Sequence, residues 1–127
     1  MSVVEKTFTI EEANACLPLL EELLDEMQQV RELILASAPE AETMLARASG
    51  NGGSKKAGEH LLLLQRFQAT QSTFRDIGCE LKDLDLGLVD FPSYREGQLV
   101  YLCWKRGEPR VEFWHPIDAG FAGGQPL

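Results

Sequence analysis

The chain has 127 residues, 44% of them apolar, which is enough for one hydrophobic core. Its 20 acidic against 12 basic side chains leave a net charge of −8, a field that repels polyanions, so nucleic acid and anionic membrane surfaces are poor partners. No apolar run approaches the roughly 20 residues of a membrane span, and Met1 to Thr9 lacks the pattern of a secretory signal, so a cytoplasmic location is expected.

Thr9 and Glu12 have the spacing of a capping box, in which the hydroxyl and the carboxylate satisfy free amides at a helix start, so a helix begins at Ile10. Pro18 is too deep for a first turn and predicts a kink, or a break between Cys16 and a second helix. Leu20, Leu23, Met27, Val30 and Ile34 then form a heptad seam, flanked by a second apolar line at Leu17, Leu24 and Leu33. Ser37 and Pro39 are expected to interrupt it, with a further helical piece over Glu40 to Ala48. Ser49 to Ser54, small and polar, predicts a flexible hairpin tip. Leu63, Phe67, Thr70, Phe74 and Ile77 recur in steps of four and three, placing a second helix over about 57–77 antiparallel to the first. Leu81, after Gly78, reads as extended.

The period then changes. Leu88 to Phe91, Leu99 to Trp104 and Val111 to Trp114 are short β-branched and aromatic runs. Turn residues at Arg95-Glu96-Gly97 and Arg106 to Pro109 leave room only for antiparallel hairpins. The run Val100 to Trp104 is apolar at both parities, which predicts a central strand covered on both faces, one cover being the helical hairpin and the other the tail or a partner subunit. The tail, Pro116 to Leu127, is Gly- and Pro-rich and is expected to wrap as a loop. The fold expected is α+β: a long antiparallel helical hairpin, coiled-coil-like, over about 9–78, packed on a small antiparallel β-meander and tail over about 79–127, all within a single domain 1–127.

Chemistry-bearing residues concentrate in the sheet half. Asp90 interrupts an apolar strand, and if Val89 and Phe91 face the helices it projects from the opposite face, where Trp104 and Trp114 are its expected neighbours. An acid bounded by indoles acquires a raised pKa and suits proton transfer; the plainer expectation is that Asp90 caps a turn or pairs with Lys82 or Arg110. His115, with Asp83, Asp85, Asp90 and Glu108, offers nitrogen and oxygen donors for a divalent transition metal, and His60 stands apart at the start of the second long helix. Lys82, Asp83, Asp90, Trp104, Glu108, Trp114 and His115 thus form the expected pocket. Asp83-x-Asp85 fails as a calcium loop, because Leu88 stands where the sharp turn needs Gly. Cys16, Cys79 and Cys103 have no metal or disulfide spacing and are expected to be reduced thiols. Nucleotide-cradle and nucleophile-elbow motifs do not occur in the sequence.

Thr9-x-x-Glu12-Ala13-Asn14 with Leu17-Pro18, Lys82-Asp83, Gly87 to Pro92, Val100 to Trp104, Gly107-Glu108 and Trp114-His115 with Gly120-Phe121 resemble an uncharacterised bacterial family, domain of unknown function 2203. The resemblance covers nearly the whole chain and brings no activity, substrate or cofactor with it. The leading functional expectation is a non-catalytic accessory or protein-interaction domain, with self-association one form of it. The alternative is a metal-binding protein or metal-dependent enzyme using the carboxylates and His115.

Overall fold

In a computed structural model the protein is described over residues 6–47 and 55–127, with the side chains of 40–47 and 121 set aside. The chain divides into two compact units, Met1–Leu24 with Thr73–Leu127 and Asp25–Ser72. The expected hairpin tip, Ser49 to Ser54, lies outside the described residues. Among those described, no helix is long and apolar enough to cross a membrane.

The helices are α1 (Ile10–Arg47) and α2 (Lys55–Ile77). The capping box forms as its spacing requires: the Thr9 amide donates to Glu12 Oε1 at 2.9 Å and the Glu12 amide to Thr9 Oγ1 at 3.1 Å. These bonds hold the Glu12 carboxyl below its ordinary range. Contrary to the expected breaks, α1 continues as one helix through Pro18, Ser37 and Pro39. A proline removes one amide donor and disfavours a helix interior. Pro18, however, stands on the exposed side while Leu17 and Leu20 beside it are buried, and apolar burial outweighs local preference. The buried stripe passes through Ala13, Leu17, Leu20, Leu24, Met27 and Val30, so Leu24 rather than Leu23 belongs to the seam, and Leu33 is half exposed.

Within the helical unit, Glu26 pairs with Arg66, and Ser37 Oγ lies 2.7 Å from His60 Nδ1. The partners descend along one helix as they ascend along the other, which makes the pair antiparallel. Met27, Val30 and Thr70 are buried in this unit.

The other unit carries a five-stranded antiparallel meander in sequence order: β1 (Glu80–Asp83), β2 (Leu88–Arg95), β3 (Gln98–Lys105), β4 (Phe113–Pro116) and β5 (Gln125–Pro126). Leu81 is extended, as its place after Gly78 suggested, while β4 starts two residues later than the apolar run that announced it. The tail is not purely a loop. It contains a single 3-10 turn and returns as β5, whose Gln125 pairs with Trp114. The β2–β3 turn is Glu96-Gly97, both at positive φ (52° and 79°), the conformation whose twist matches a two-residue hairpin. At the β1–β2 turn only glycine fits position 87. Its φ is +68°, and a Cβ there would meet the Arg106 Cβ at 2.5 Å.

One face of this sheet builds the core. Val89, Phe91, Val100, Leu102 and Trp104 are all buried, as are Leu17, Leu20, Leu24 and Phe8 of the same unit. The Phe8 ring meets Phe91 edge-on at 5.2 Å. Pro92 fits mid-strand because β1 ends short of it and the segment before α1 takes its place: the Phe8 amide donates to the Pro92 carbonyl at 2.8 Å, and Ser93 Oγ donates to the Phe8 carbonyl at 2.6 Å. Asn14 Oδ1 accepts from the Val111 amide at 2.7 Å, and Glu21 pairs with Arg106 at 3.3 Å, tying α1 to the strand connections.

Candidate functional site

The opposite face of the sheet carries the polar residues. Strand pairing sets Glu80 opposite Asp90, Asp90 opposite Cys103, and Tyr101 opposite His115. Alternation then places these side chains on one face across four neighbouring strands. A cavity of about 150 Å³ opens there, lined by Lys82, Leu88, Asp90, Tyr101, Cys103, His115, Ile117 and Gly120. The tail therefore supplies part of the second cover that the apolar β3 requires.

At its floor, Asp90 and His115 are 4% and 1% exposed, and His115 Nε2 lies 3.1 Å from Asp90 Oδ2. His115 Nδ1 is 2.8 Å from the Pro116 carbonyl oxygen, which can only accept, so Nδ1 carries a proton and donates it there. The contact on the other side of the ring must then hold a further proton, on the carboxyl or on Nε2. Burial pushes the Asp90 carboxyl above its ordinary value; the His115 ring, the Lys82 ammonium and a hydrogen bond with Cys103 draw it part of the way back. Burial, followed by the Asp90 charge and its hydrogen bond, pushes the Cys103 thiol up to about 12, so it is a hydrogen-bond donor and not a ready nucleophile.

Above the floor stand Tyr101 and Lys82. The Tyr101 ring is tilted 5.4 Å from His115, and burial with a hydrogen bond to Glu80 pushes its phenol up to about 12. The Lys82 ammonium lies 4.8 Å over the Tyr101 ring and 3.3 Å from Glu80 Oε1.

Asp90, Cys103 and His115 each present a donor atom, O, S and N, all within 4.8 Å of one another. A tetrahedral zinc ion with ordinary bond lengths separates its ligand atoms by about 3.5 Å, a spacing close to that of these donors. His115 already makes the bond to a backbone carbonyl that metal-ligating histidines use to fix their tautomer.

Of the residues expected in a pocket, Lys82, Asp90 and His115 come together, and four do not. Asp83 caps the β1–β2 turn, Oδ1 accepting from the Leu86 amide at 3.0 Å. Glu108 caps the β3–β4 turn through the Lys105 amide at 2.7 Å, and its carbonyl accepts from Trp104 Nε1 at 2.9 Å. Trp104 is fully buried on the core face because it pairs with Val89, not with Asp90. Trp114 pairs with Leu102 on that same face, beneath the Arg95 guanidinium at 5.0 Å. No indole therefore bounds Asp90. Its partner is His115 and not Arg110, which pairs with Glu112, while Lys82 acts on it only as a neighbouring charge. Cys103 and Tyr101 are the site residues that the linear sequence did not single out.

A pH effect follows for protein held in chelator. Because burial favours the protonated carboxyl, the stabilising contribution of Asp90 is fully present below its unfolded pKa of about 3.9 and is lost as pH rises through its raised folded value. Asp90→Asn, which keeps the shape and supplies an amide donor to His115, removes that slope. Melting temperatures of the two proteins across pH 4 to about 8 are expected to converge at the acid end, with the variant gaining on the parent as pH rises.

No curated protein and no solved structure matches the chain. The family model described as Uncharacterized conserved protein (DUF2203) matches residues 6–127, and with nearly the whole length so covered the chain belongs to that family.

Proposed function

We propose that the chain binds a divalent transition metal, zinc by preference, through Asp90 Oδ, Cys103 Sγ and His115 Nε2. The observation that carries this reading is the convergence of three different buried donors on one cavity floor, with the outer bond of the histidine already made. A mixed N, O and S set suits a borderline ion such as zinc. Three protein ligands would leave one of four coordination positions open, as in catalytic zinc centres and unlike closed structural ones. When bound, the ion would polarise an oxygen placed at that position or acidify a water there. The chain's own residues hold the site: β2, β3 and β4 fix the three donors by register, and the Pro116 carbonyl holds the imidazole with Nε2 turned inward.

The test is a cobalt titration of chelator-treated protein followed by absorbance. Ligation through Cys103 predicts a thiolate charge-transfer band that saturates at about one ion per chain and disappears in Cys103→Ser. Saturation without a thiolate band would exclude Cys103, and no saturable signal would exclude the site.

A second reading, a protein-interaction role for the helical unit, is supported by Leu33, Leu35, Leu61 and Leu62, each at least 50% exposed. Self-association through this surface predicts a mass that rises with concentration in sedimentation. A monomer at micromolar concentration contradicts it.

A further inference from the structure

Among the described residues Lys82 is the one lysine or arginine lining the cavity, and it stands at an irregularity in the sheet. Leu81 pairs with Val89 and Asp83 with Leu88, so Lys82 is an extra residue and shares a single partner position with Asp83. Bulges of this kind re-aim a side chain beside a site. The rest of the wall is apolar or ring face, from Leu88, Ile117 and Tyr101. The Lys82 ammonium rests on the Tyr101 ring, and its Glu80 partner stands at the exposed rim, where an ion pair contributes little and a competing anion displaces it readily. With the Asp90 carboxylate and the Cys103 thiolate neutralising a divalent ion, Lys82 becomes the charge that an entering ligand meets.

We infer that Lys82 recognises the anionic group of a small oxyanion ligand, a carboxylate or a phosphate, whose other end reaches the open position of the metal. The inference rests on the metal reading above. A cavity of about 150 Å³, roughly five waters in volume, limits the enclosed part of the ligand to a few heavy atoms.

Cobalt-loaded protein tests this directly, with acetate and inorganic phosphate titrated separately while the visible d–d bands are followed. The expected result is a saturable change with one or both anions, the better one identifying the class. Lys82→Met is expected to raise the dissociation constant for that anion at least tenfold with cobalt affinity unchanged, and Glu80→Gln, which frees the ammonium, to lower it. A saturable change that is the same in Lys82→Met overturns the role of Lys82. Cobalt bands that neither anion perturbs overturn the inference and leave the metal site standing. If cobalt bands are missing altogether, both readings fall.

Discussion

Alanine at His115 is expected to weaken zinc binding by more than about 100-fold while the protein stays folded. Changing outer-shell partners of a metal site costs 10–100-fold, and loss of a ligand exceeds that. The substitution removes the only nitrogen of the triad and leaves buried Asp90 with the Cys103 thiol as its remaining hydrogen-bond partner. That carboxyl is already biased toward its neutral form by burial, so it can remain protonated instead of burying a charge. Competition with a chromophoric chelator measures the affinity, and far-ultraviolet circular dichroism measures the fold. Binding that survives within threefold would place the ligands elsewhere. Because coordination displaces the Cys103 thiol proton and the proton held between Asp90 and His115, zinc affinity should also climb steeply with pH.

Phe91→Ala is expected to cost about 3–5 kcal/mol of folding stability. Phe91 is fully buried, pairs with Leu102 and receives the edge of Phe8, so truncation leaves a cavity where the β-sheet meets the segment leading into α1. Domains of this size have roughly 5–15 kcal/mol in total, so the loss takes a large share and shifts a urea midpoint by about 2 M. A cost below about 1 kcal/mol would contradict the register that turns Phe91 toward the core and Asp90 away from it. The two predictions thus test opposite faces of the same sheet.

The helices were legible because a period near 3.6 writes one less exposed stripe into the sequence, as Leu63, Phe67, Thr70, Phe74 and Ile77 do, with Thr70 and Phe74 buried and the others half-buried. Pro18 misled because its own backbone preference was outweighed by the burial of its neighbours Leu17 and Leu20; the continuation of α1 through Pro39 has no such explanation in the structure. Asp90 and His115 stood out as polar residues in apolar strands. Cys103 did not, because it lies in a run that is apolar at both parities, and its meeting with Asp90 is a matter of register between strands. A signal for that register was present. If Glu96-Gly97 is taken as a two-residue hairpin loop, counting outward sets Arg95 opposite Gln98, Asp90 opposite Cys103 and Val89 opposite Trp104. The same count removes Trp104 from the Asp90 face. The contribution of Tyr101 needed the β3–β4 register as well, and the turn Arg106 to Pro109 with the irregular residues after it does not fix that count.

The most direct test of the metal reading is the elemental content of untagged protein purified without chelator, measured by mass spectrometry beside thermal melting of metal-free and zinc-loaded samples. The account predicts about one zinc per chain and a rise of several degrees in melting temperature, since a ligand at 100 times its dissociation constant stabilises by about 2.7 kcal/mol. Both effects should vanish in Cys103→Ser and His115→Ala. Protein that carries no metal and whose melting is unmoved by zinc would contradict the account, and would leave Asp90 and His115 as a buried hydrogen-bonded pair that serves the fold alone.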